Sequence, residues 1–250
     1  MNLEDALSTL HEQPPAIIES GVLLGTGLVD GFSAFDSPVG QVMVTFNTRG
    51  VSSVDLMDLD APHRFEDRFG RRVVEARTPR GWDSLIARAI EKGTPGDLPL
   101  DLRNRTPFQR AILEIAATIP RGEVRPYGWL AKEGGKPGAV RAVGSVMATN
   151  PVPLIVPCHR VVRTDGHIGN YSLGGGHNKA SLLVEEGADP DLLESLASRN
   201  VRFWGSDTTR IYCHPTCRAA RTITSGHLIE FRSASQADEA GYRPCKLCRP

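Results

Sequence analysis

The chain has 250 residues, no formal net charge and five cysteines, and 40% of its residues are hydrophobic. This length predicts one large domain and a small one. The N-terminus has neither the basic nor the apolar stretch of a secretion signal, and no apolar run approaches the ~20 residues of a membrane span. We therefore expect a cytoplasmic protein with no membrane partner.

The charges are separated along the chain. Residues 1–102 carry −7 and residues 181–198 carry −5, whereas residues 103–180 carry +7 and residues 199–250 carry +5. Both basic blocks contain cysteines, one in the first and four in the second. One basic block is common on an ordinary solvated surface, but two around two cysteine sites favour a polyanionic partner such as nucleic acid.

The first hundred residues predict a small sheet and a helix. Residues 41–46 and 50–56 indicate paired strands across a turn. Residues 83–92 indicate an amphipathic helix that ends at Gly93. The stretch 93–106 contains Pro and Gly, which is typical of a linker to a second subdomain.

A helix-turn-helix is predicted in the first basic block. Thr106 and Pro107 are a capping residue and a first-turn proline, so a helix should begin there. Its apolar stripe has helical spacing: Phe108, Ala111, Ile112, Ile115, Ala116 and Ile119. Residues 127–133 and 138–149 then indicate two helices on either side of a glycine-containing turn.

The second helix of this motif has a face of small residues. Gly138, Ala142, Ser145 and Ala148 share that face, and Arg141 is its one bulky side chain. A small-residue face allows a close approach by a neighbour. That neighbour is another helix or, beside a basic block, DNA.

Two more helices lead to the end of the chain. Residues 177–186 indicate a helix that ends at Gly187, and Asp189 with Pro190 begins a short acidic helix in a connector of residues 188–198. We expect this acidic connector to limit coupling between the two halves of the chain.

Cys158 stands at the end of an apolar run, residues 151–157, that predicts a short buried strand. Burial alone would raise the pKa of a thiol and leave it inert. The adjacent His159 and Arg160 favour the thiolate, which is the nucleophile. A lone cysteine is otherwise most often a small core residue. The residues next to Cys158 do not by themselves exclude that alternative.

The other four cysteines form two pairs, a C-x3-C and a C-x2-C separated by 27 residues. They are Cys213, Cys217, Cys245 and Cys248. Such spacing suits one tetrahedral Zn²⁺ ion, and two disulfides are the alternative, which a cytoplasmic location disfavours. A domain of residues 199–250 is too small to fold on its core alone, so metal should supply much of its folding energy.

The sequence around Cys158 resembles a known family. Residues 150–162 (NPVPLIVPCHRVV) and 169–172 (GNYS) are similar to the active-site signature of O6-alkylguanine-DNA alkyltransferases. The resemblance is strong over residues 100–187 and weaker over residues 25–100, where the hairpin 37–40 matches best.

This resemblance implies an α+β chain with an α/β N-terminal subdomain, residues 1–100, and a helix-turn-helix catalytic subdomain, residues 101–187. Members of the family bind the minor groove of double-stranded DNA and flip the damaged base into a pocket, and we expect this chain to act as a monomer. They move the alkyl group of O6-alkylguanine, and of O4-alkylthymine, irreversibly onto a cysteine. No organic cofactor is implied.

The resemblance also assigns roles near the thiol. Cys158 would be the acceptor, and His159 would be its base through a bound water. Glu186 would orient that histidine, and the adjacent Glu185 is disfavoured because the family's Glu directly precedes Gly. Asn150 would brace the turn between the recognition helix and the active-site strand.

Five further residues are implied in DNA or substrate binding. Tyr127 would help to extrude the nucleotide and would donate to guanine, and Arg141 would replace the flipped base in the stack. Ser172 and the backbone of Val161 would read the guanine edge. Arg160, beside the active-site histidine, is included among the DNA-binding residues.

Residues 199–250 resemble the zinc domain of Ada-type response proteins, through residues 208–218 and 240–248. In that family the first ligand cysteine takes a methyl group from a DNA methylphosphotriester, which makes Cys213 the candidate here. One Zn²⁺ per chain is implied. The residues implied in contacts with flanking phosphates are Arg218, Arg221 and Arg243. The alternative is a zinc domain that only tethers DNA.

Four departures from these families are visible. The segment 173–178 is one residue longer than usual, which affects the expected outer wall of the pocket. Arg210 stands where a glycine is usual, and Ala220 occupies a position that is often basic. The zinc domain also follows the alkyltransferase part, the reverse of the Ada order.

Two functions of other classes compete with repair. A non-catalytic sensor of alkylated guanine would lack the acceptor thiol, and Cys158 argues against it. A cysteine hydrolase would take its histidine from a remote part of the sequence, because adjacent side chains on a strand point to opposite faces.

Overall fold

A computed structural model describes residues 16–250 of the protein. Its first part is a four-stranded sheet in the order β3-β2-β1-β4, with antiparallel β1–β2 and β2–β3 pairs and a parallel β1–β4 pair. Its elements are α1 (Ala16–Thr26), β1 (Asp30–Phe35), β2 (Val42–Asn47), β3 (Gly50–Leu56), α2 (Ala61–Phe69), β4 (Val73–Glu75) and α3 (Trp82–Lys92). The predicted strand pair and the helix that ends at Gly93 are confirmed.

Strand β2 is buried on both faces, and its alternating side chains enter two different cores. Val42 and Val44 belong to the main core, whereas Met43 packs with Ala61 and Phe65 of α2. A period of two explains this division, because successive side chains of a strand point to opposite faces. The sheet is therefore the middle layer of this subdomain.

The stretch 93–106 is not a loose linker. Val51 of β3 donates to the carbonyl of Pro99 at 2.9 Å and accepts from the N–H of Asp101 at 2.8 Å. The Asp101 carboxylate is buried, and Asn47 donates to it at 2.8 Å. Burial raises the pKa of Asp101, but hydrogen bonds from Arg103 and Asn47 lower it to about 2. The two subdomains are thus packed together.

The second part contains the predicted helix-turn-helix, which is confirmed. Thr106 and Gln109 cap its leading helix reciprocally, at 3.3 and 3.0 Å. Ile112, Leu130 and Val143, one from each of the three helices, are fully buried in the main core. The elements are α4 (Pro107–Ala117), β5 (Arg125–Pro126), α5 (Tyr127–Glu133), α6 (Val140–Ala148), β6 (Val161–Val162) and α7 (Gly175–Glu185).

The strand predicted before Cys158 is wrong. Residues 151–157 are irregular, and Cys158–Arg160 form one 3₁₀ turn. The run contains three prolines, which cannot donate to a strand ladder, and Leu154 has a positive φ of 71°. Strand pairing begins only at β6, which is parallel to β5. The cysteine is therefore presented by a tight turn.

The last part carries a second four-stranded sheet in the order β10-β8-β7-β9. Its elements are α8 (Pro190–Ser198), β7 (Phe203–Ser206), β8 (Ile211–Cys213), β9 (Leu228–Phe231), α9 (Ala234–Glu239) and β10 (Arg243–Pro244). Asp189 caps α8 by accepting from the N–H of Leu192 at 3.0 Å. Arg210 has φ of 53°, which explains why glycine is usual at this position.

The four-cysteine domain is docked on the helix-turn-helix, so the two halves of the chain are in direct contact despite the acidic connector, whose effect on coupling stays a prediction. Residues 122–124 form a seam along which both parts meet. The Val124 N–H donates to Thr216 Oγ1 at 2.9 Å, and the carboxylate of Glu123 accepts from the N–H of Arg218 at 3.0 Å. These contacts are buried or partly buried.

A second contact joins α5 to the end of the zinc domain. The indole N–H of Trp129 donates to the carbonyl of Cys248 at 2.9 Å, and Lys132 Nζ donates to the Pro250 carbonyl at 3.0 Å. Trp129 also lies under the guanidinium groups of Arg125 and Arg249. Within residues 16–250, none of the helices combines the length and the apolar character needed to cross a bilayer.

Candidate active site and metal centre

Cys158 lies at the base of a cavity of about 310 Å³, and only 4% of it is exposed. The cavity is lined by Tyr127, Met147, Ala148, Cys158, Asn170, Tyr171 and Ser172. Asn150 donates from Nδ2 to the Cys158 sulfur at 3.2 Å and to the Val156 carbonyl at 2.8 Å, and its Oδ1 accepts from Val152 N–H at 3.1 Å. Asn150 therefore fixes the turn that carries the thiol.

Burial disfavours ionisation of the Cys158 thiol. It raises the pKa of Cys158, and the Asn150 hydrogen bond and the Lys179 charge offset this only in part. The neighbouring cation is thus Lys179 and not Arg160, which corrects the interpretation of the sequence. A base that takes up the thiol proton would favour the nucleophilic thiolate.

Lys179 was missed in the sequence. Its ammonium group is buried and donates to the Val161 carbonyl at 2.6 Å, and burial lowers its pKa to about 8. A signal was present, because Lys179, Leu182, Leu183 and Glu186 have the i, i+3, i+4, i+7 spacing of a buried stripe. Because the first of these positions is a lysine, the stripe does not look apolar in the sequence.

His159 and Glu186 are in contact. His159 Nε2 lies 3.0 Å from Glu186 Oε1, and His159 Nδ1 is buried with no hydrogen-bond partner among the described residues. Burial lowers the pKa of His159, and Glu186 opposes this effect. Glu185 instead lies half-exposed beside Arg121, at 3.4 Å. The structure thus places Glu186, not its neighbour, beside the histidine.

Arg160 is not available to DNA, which corrects its inclusion among the DNA-binding residues. It is 1% exposed, and its guanidinium donates to Glu186 Oε1 at 2.6 Å and Oε2 at 2.9 Å. It also donates to the carbonyls of Ile119 at 2.7 Å and Lys92 at 2.8 Å. Gly93 lies against it with φ of 62°, and a Cβ there would collide with the guanidinium. Arg160 ties Glu186 to the N-terminal subdomain.

We expect Glu186→Gln to weaken the folded state and to change its response to acid. Burial raises the pKa of Glu186, but hydrogen bonds from His159 and Arg160 lower it to about 2, against 4.5 ordinarily. The carboxylate therefore contributes stability that is present above pH 4.5 and is lost as pH falls towards 2. The variant should lose this part of the acid dependence. At pH 7 its free energy of unfolding should be about 3 kcal/mol lower than that of the native protein, because Arg160 stays buried without its charged partner.

Urea unfolding between pH 2 and 7 measures both effects. The matched control is Glu185→Gln, whose exposed ion pair should matter little. Identical curves for the Glu186→Gln variant and the native protein would contradict the expectation.

Two of the residues implied in base binding line the cavity, Tyr127 and Ser172. Tyr127 is half-buried, and burial raises its pKa. Ser172 is exposed. Arg141 is exposed at the start of α6 and is not among the lining residues. The N–H of Val161 donates to the Cys158 carbonyl and its own carbonyl accepts from Lys179, so the backbone of Val161 is already used within the protein.

The longer segment 173–178 does not form the wall of the cavity, whose lining ends at Ser172. Gly174 and Gly175 have φ of 78° and 80° and lead into α7. Both residues have left-handed backbone conformations that glycine adopts without strain, one immediately before α7 and one at its first position.

The four other cysteines form one cluster. Their sulfur atoms all lie within 4.8 Å of one another, all four residues are buried, and none forms a disulfide: Cys213, Cys217, Cys245 and Cys248. A tetrahedral zinc ion with Zn–S bonds of about 2.3 Å requires sulfur atoms at about 3.8 Å, so this donor set suits zinc. Hydrogen bonding among the thiols raises the pKa of Cys213 and lowers that of Cys217. A bound cation would remove this competition for protons.

Cys213 and Cys245 face a second cavity of about 470 Å³. Arg243 and Thr208 also line it and are exposed. The side chain of Arg218 is exposed as well. Arg243 and Arg218 remain compatible with phosphate binding.

Arg221 is engaged within the protein. Its guanidinium donates to the carbonyl of Gly122 in the seam. The residue is otherwise exposed, so a contact with phosphate stays a prediction.

Comparisons with known proteins agree with this architecture. Residues 107–188 match the family model described as 6-O-methylguanine DNA methyltransferase, DNA binding domain. Residues 196–250 match the metal binding domain of Ada. The chain is 34% identical over 170 residues to a mouse methylated-DNA–protein-cysteine methyltransferase, and the match covers 62% of the chain and 81% of the mouse protein.

A longer bacterial protein matches the chain only in part. The bifunctional transcriptional activator/DNA repair enzyme Ada of Escherichia coli is 36% identical over 167 residues, which are 65% of the chain and 47% of Ada. The chain thus spans about half the length of Ada. The crystal structure of Mycobacterium tuberculosis O6-methylguanine methyltransferase is similar with a TM-score of 0.52 at 31% identity, over 66% of the chain and 99% of that protein.

Proposed function

The chain belongs to the methylated-DNA–protein-cysteine methyltransferase family, and we propose that it repairs DNA by moving an alkyl group from O6 of guanine onto Cys158. The observation that carries this proposal is the position of the Cys158 thiol. It lies in a cavity at the end of α6, the second helix of the helix-turn-helix, with the His159–Glu186 pair beside it. O4-alkylthymine is proposed as a second substrate because it presents the same alkyl–oxygen bond.

The residues of the site suggest how the transfer proceeds. Glu186 accepts from His159 Nε2, which leaves Nδ1 as a base that takes the Cys158 proton through a water molecule. The sulfur attacks the alkyl carbon, so the S–C bond forms while the C–O6 bond breaks. The electron pair stays on the purine, to which Tyr127 donates a hydrogen bond, and the purine takes up a proton from solvent. The site contains no group that reverses the thioether, so each chain reacts once.

The exposed small-residue face of α6 suggests how DNA is bound. Ala142 and Ser145 are exposed there, so the backbone of α6 can approach the floor of the minor groove. Flipping costs a few kcal/mol, least for a poorly paired base, which favours the lesion. A monomer suffices because one chain carries every group of the site. We also propose that the protein acts on DNA in the cytoplasm. The proposed domain boundaries lie after residues 100, 187 and 198.

We expect Arg141→Ala to slow transfer from duplex DNA far more than transfer from a free alkylated guanine base. Arg141 is an exposed cation on the small-residue face, where it can fill the space that the flipped base leaves in the stack. A loss of about ten-fold or more on duplex corresponds to over 1.4 kcal/mol of extrusion energy. Rates on the two substrates, together with the melting temperature, measure this. Equal losses on both substrates, or a markedly lower melting temperature, would indicate a structural role instead.

The proposed reaction is tested by labelling. The native protein is incubated with duplex DNA that carries ³H-methyl on O6 of guanine, and its peptides are then mapped. We expect one label per chain, on the peptide that contains Cys158. Several turnovers per chain, or label elsewhere, would overturn the proposal.

We propose a second acceptor function for Cys213, because it faces an open cavity beside Arg243. One zinc ion bound by the four thiols would keep Cys213 ionised at neutral pH. Its sulfur would take the methyl group of a DNA methylphosphotriester, and the broken O–CH₃ bond would leave an ordinary charged phosphodiester. The uncharged triester repels a thiolate less than a diester does.

Peptide mapping tests this function in the Cys158→Ser background. DNA that carries one ³H-methylphosphotriester should place its label on Cys213. A folded, metal-bound domain without label would leave this half of the protein as a tether for DNA.

A further inference from the structure

Gly122 lies between the two sites and contacts both. Its carbonyl accepts from the guanidinium of Arg221 in the zinc domain, and its N–H donates to Glu186 Oε2 at 3.1 Å. The other oxygen of Glu186 holds His159 Nε2 at 3.0 Å. Three hydrogen bonds in series therefore join the zinc domain to the ring that activates Cys158.

The backbone of Gly122 packs directly against Glu186. Its φ is 75°, and a Cβ at this residue would overlap the carbonyl oxygen of Glu186. Only glycine therefore fits here, and its backbone lies directly against that of Glu186. A displacement of the Gly122 peptide would thus displace the carboxylate that holds the histidine.

Arg221 is in turn fixed by the metal centre. It belongs to the 3₁₀ turn Ala220–Thr222, whose first two N–H groups donate to the carbonyl of Cys217, at 2.8 Å for Ala220 and 3.2 Å for Arg221. Cys217 is one of the four sulfur ligands and is fully buried. The residue that reaches Gly122 is therefore hydrogen-bonded through its own backbone to the four-cysteine cluster.

We propose that Arg221 is a positioning residue for base repair, which holds the Gly122 peptide so that Glu186 orients His159 for proton removal from Cys158. This rests on the proposed transfer to Cys158. The zinc domain then does more than bind DNA: it completes the support of the first acceptor site. Arg160 grips Glu186 from the N-terminal subdomain, and Gly122 fixes it from the other side.

The pH profile separates positioning from general stability. The charged and titratable groups around His159 are Glu186 and Lys179 from α7 and its cap, Arg160 and Cys158 from its own turn, and Tyr171 from the preceding loop. A well-placed Glu186 stabilises the protonated ring. If the carboxylate is displaced, the pKa of His159 falls, so the acid limb of the rate profile moves to lower pH while the plateau rate also falls.

The experiment measures the rate of transfer from a free alkylated guanine base between pH 4 and 9, which excludes any role of Arg221 in DNA contact. We expect Arg221→Ala to lower the plateau roughly 3- to 10-fold, a part of the 10²–10⁴ that a general base contributes. The acid limb should move down, and Arg221→Lys, which keeps a donor, should restore much of the rate. The matched control is Arg199→Ala, which removes a surface ion pair of the zinc domain with Glu230.

Each outcome decides the matter. An unchanged rate and limb in Arg221→Ala would overturn the proposal. A lower rate with an unmoved limb, or an equal loss in Arg221→Lys and Arg221→Ala, would show a merely structural contact and would also overturn it. ¹⁵N chemical shifts of the His159 ring give a second measure at equilibrium and should change in Arg221→Ala. If the native protein transfers nothing from alkylguanine, the proposed function fails, and this result is distinct from all of the above.

Discussion

Cys158→Ser should bind methylated duplex DNA as the native protein does and should transfer no methyl group. Serine differs by one atom, so the cavity and the Asn150 donor are preserved. A hydroxyl, however, is a harder and much less acidic nucleophile than a thiol, and neither His159 nor Lys179 can compensate for that. Gel-shift titration and ³H transfer from O6-methylguanine DNA measure the two properties on one sample.

The buried position of Cys158 makes this variant informative. Because only 4% of the residue is exposed, the substitution changes almost nothing on the surface that DNA would contact. Residual transfer by Cys158→Ser would show that another side chain is the acceptor. Loss of DNA binding would show that the substitution disturbs the α6 region and not the chemistry alone.

Cys217→Ser should lose the metal and unfold the zinc domain. Four thiolates around one zinc ion contribute about 10–16 kcal/mol in small zinc domains at neutral pH, far more than the small apolar core of residues 199–250 supplies. Bound zinc per chain, the circular dichroism spectrum and tryptophan fluorescence measure the result. Trp129 is buried against Cys248 of the docked domain, so its emission should move to longer wavelength when that domain unfolds.

The matched control for this variant is Cys158→Ser, the same substitution at a cysteine outside the cluster. It should retain one zinc ion per chain and native fluorescence. A Cys217→Ser protein that keeps a folded zinc domain would show that the metal is dispensable to this fold. Such a result would contradict the argument from domain size.

The parts of the fold that follow a local pattern could be predicted from the sequence. Thr106 and Gln109 stand at the spacing of a capping box, and the α4 stripe has a helical period. The ligand cysteines were found from their spacing alone, because a tetrahedral site constrains sequence separation as well as distance. His159 and Glu186 were paired only through the family resemblance, since they lie 27 positions apart in the sequence.

The parts that depend on tertiary packing could not be predicted. Arg160 has the sequence context of a DNA-binding residue, and only the closure of two subdomains around it shows that it is buried. The prediction of a strand before Cys158 is wrong because the hydrophobic run contains three prolines, which cannot donate to a strand ladder. The docking of the zinc domain depends on Glu123, Thr216 and Trp129, which have no periodic or motif signature.

The seam at residues 122–124 also orders events during synthesis of the chain. A nascent chain that has emerged through Gly187 already contains the thiol, the histidine and Glu186, but it lacks the guanidinium of Arg221 that holds Gly122. Domains generally fold in the order in which they leave the ribosome. On our proposal, a chain that has emerged only through Gly187 would therefore carry the complete acceptor site but transfer alkyl groups more slowly than the finished protein, until the segment that contains Arg221 has been translated and has docked on residues 122–124.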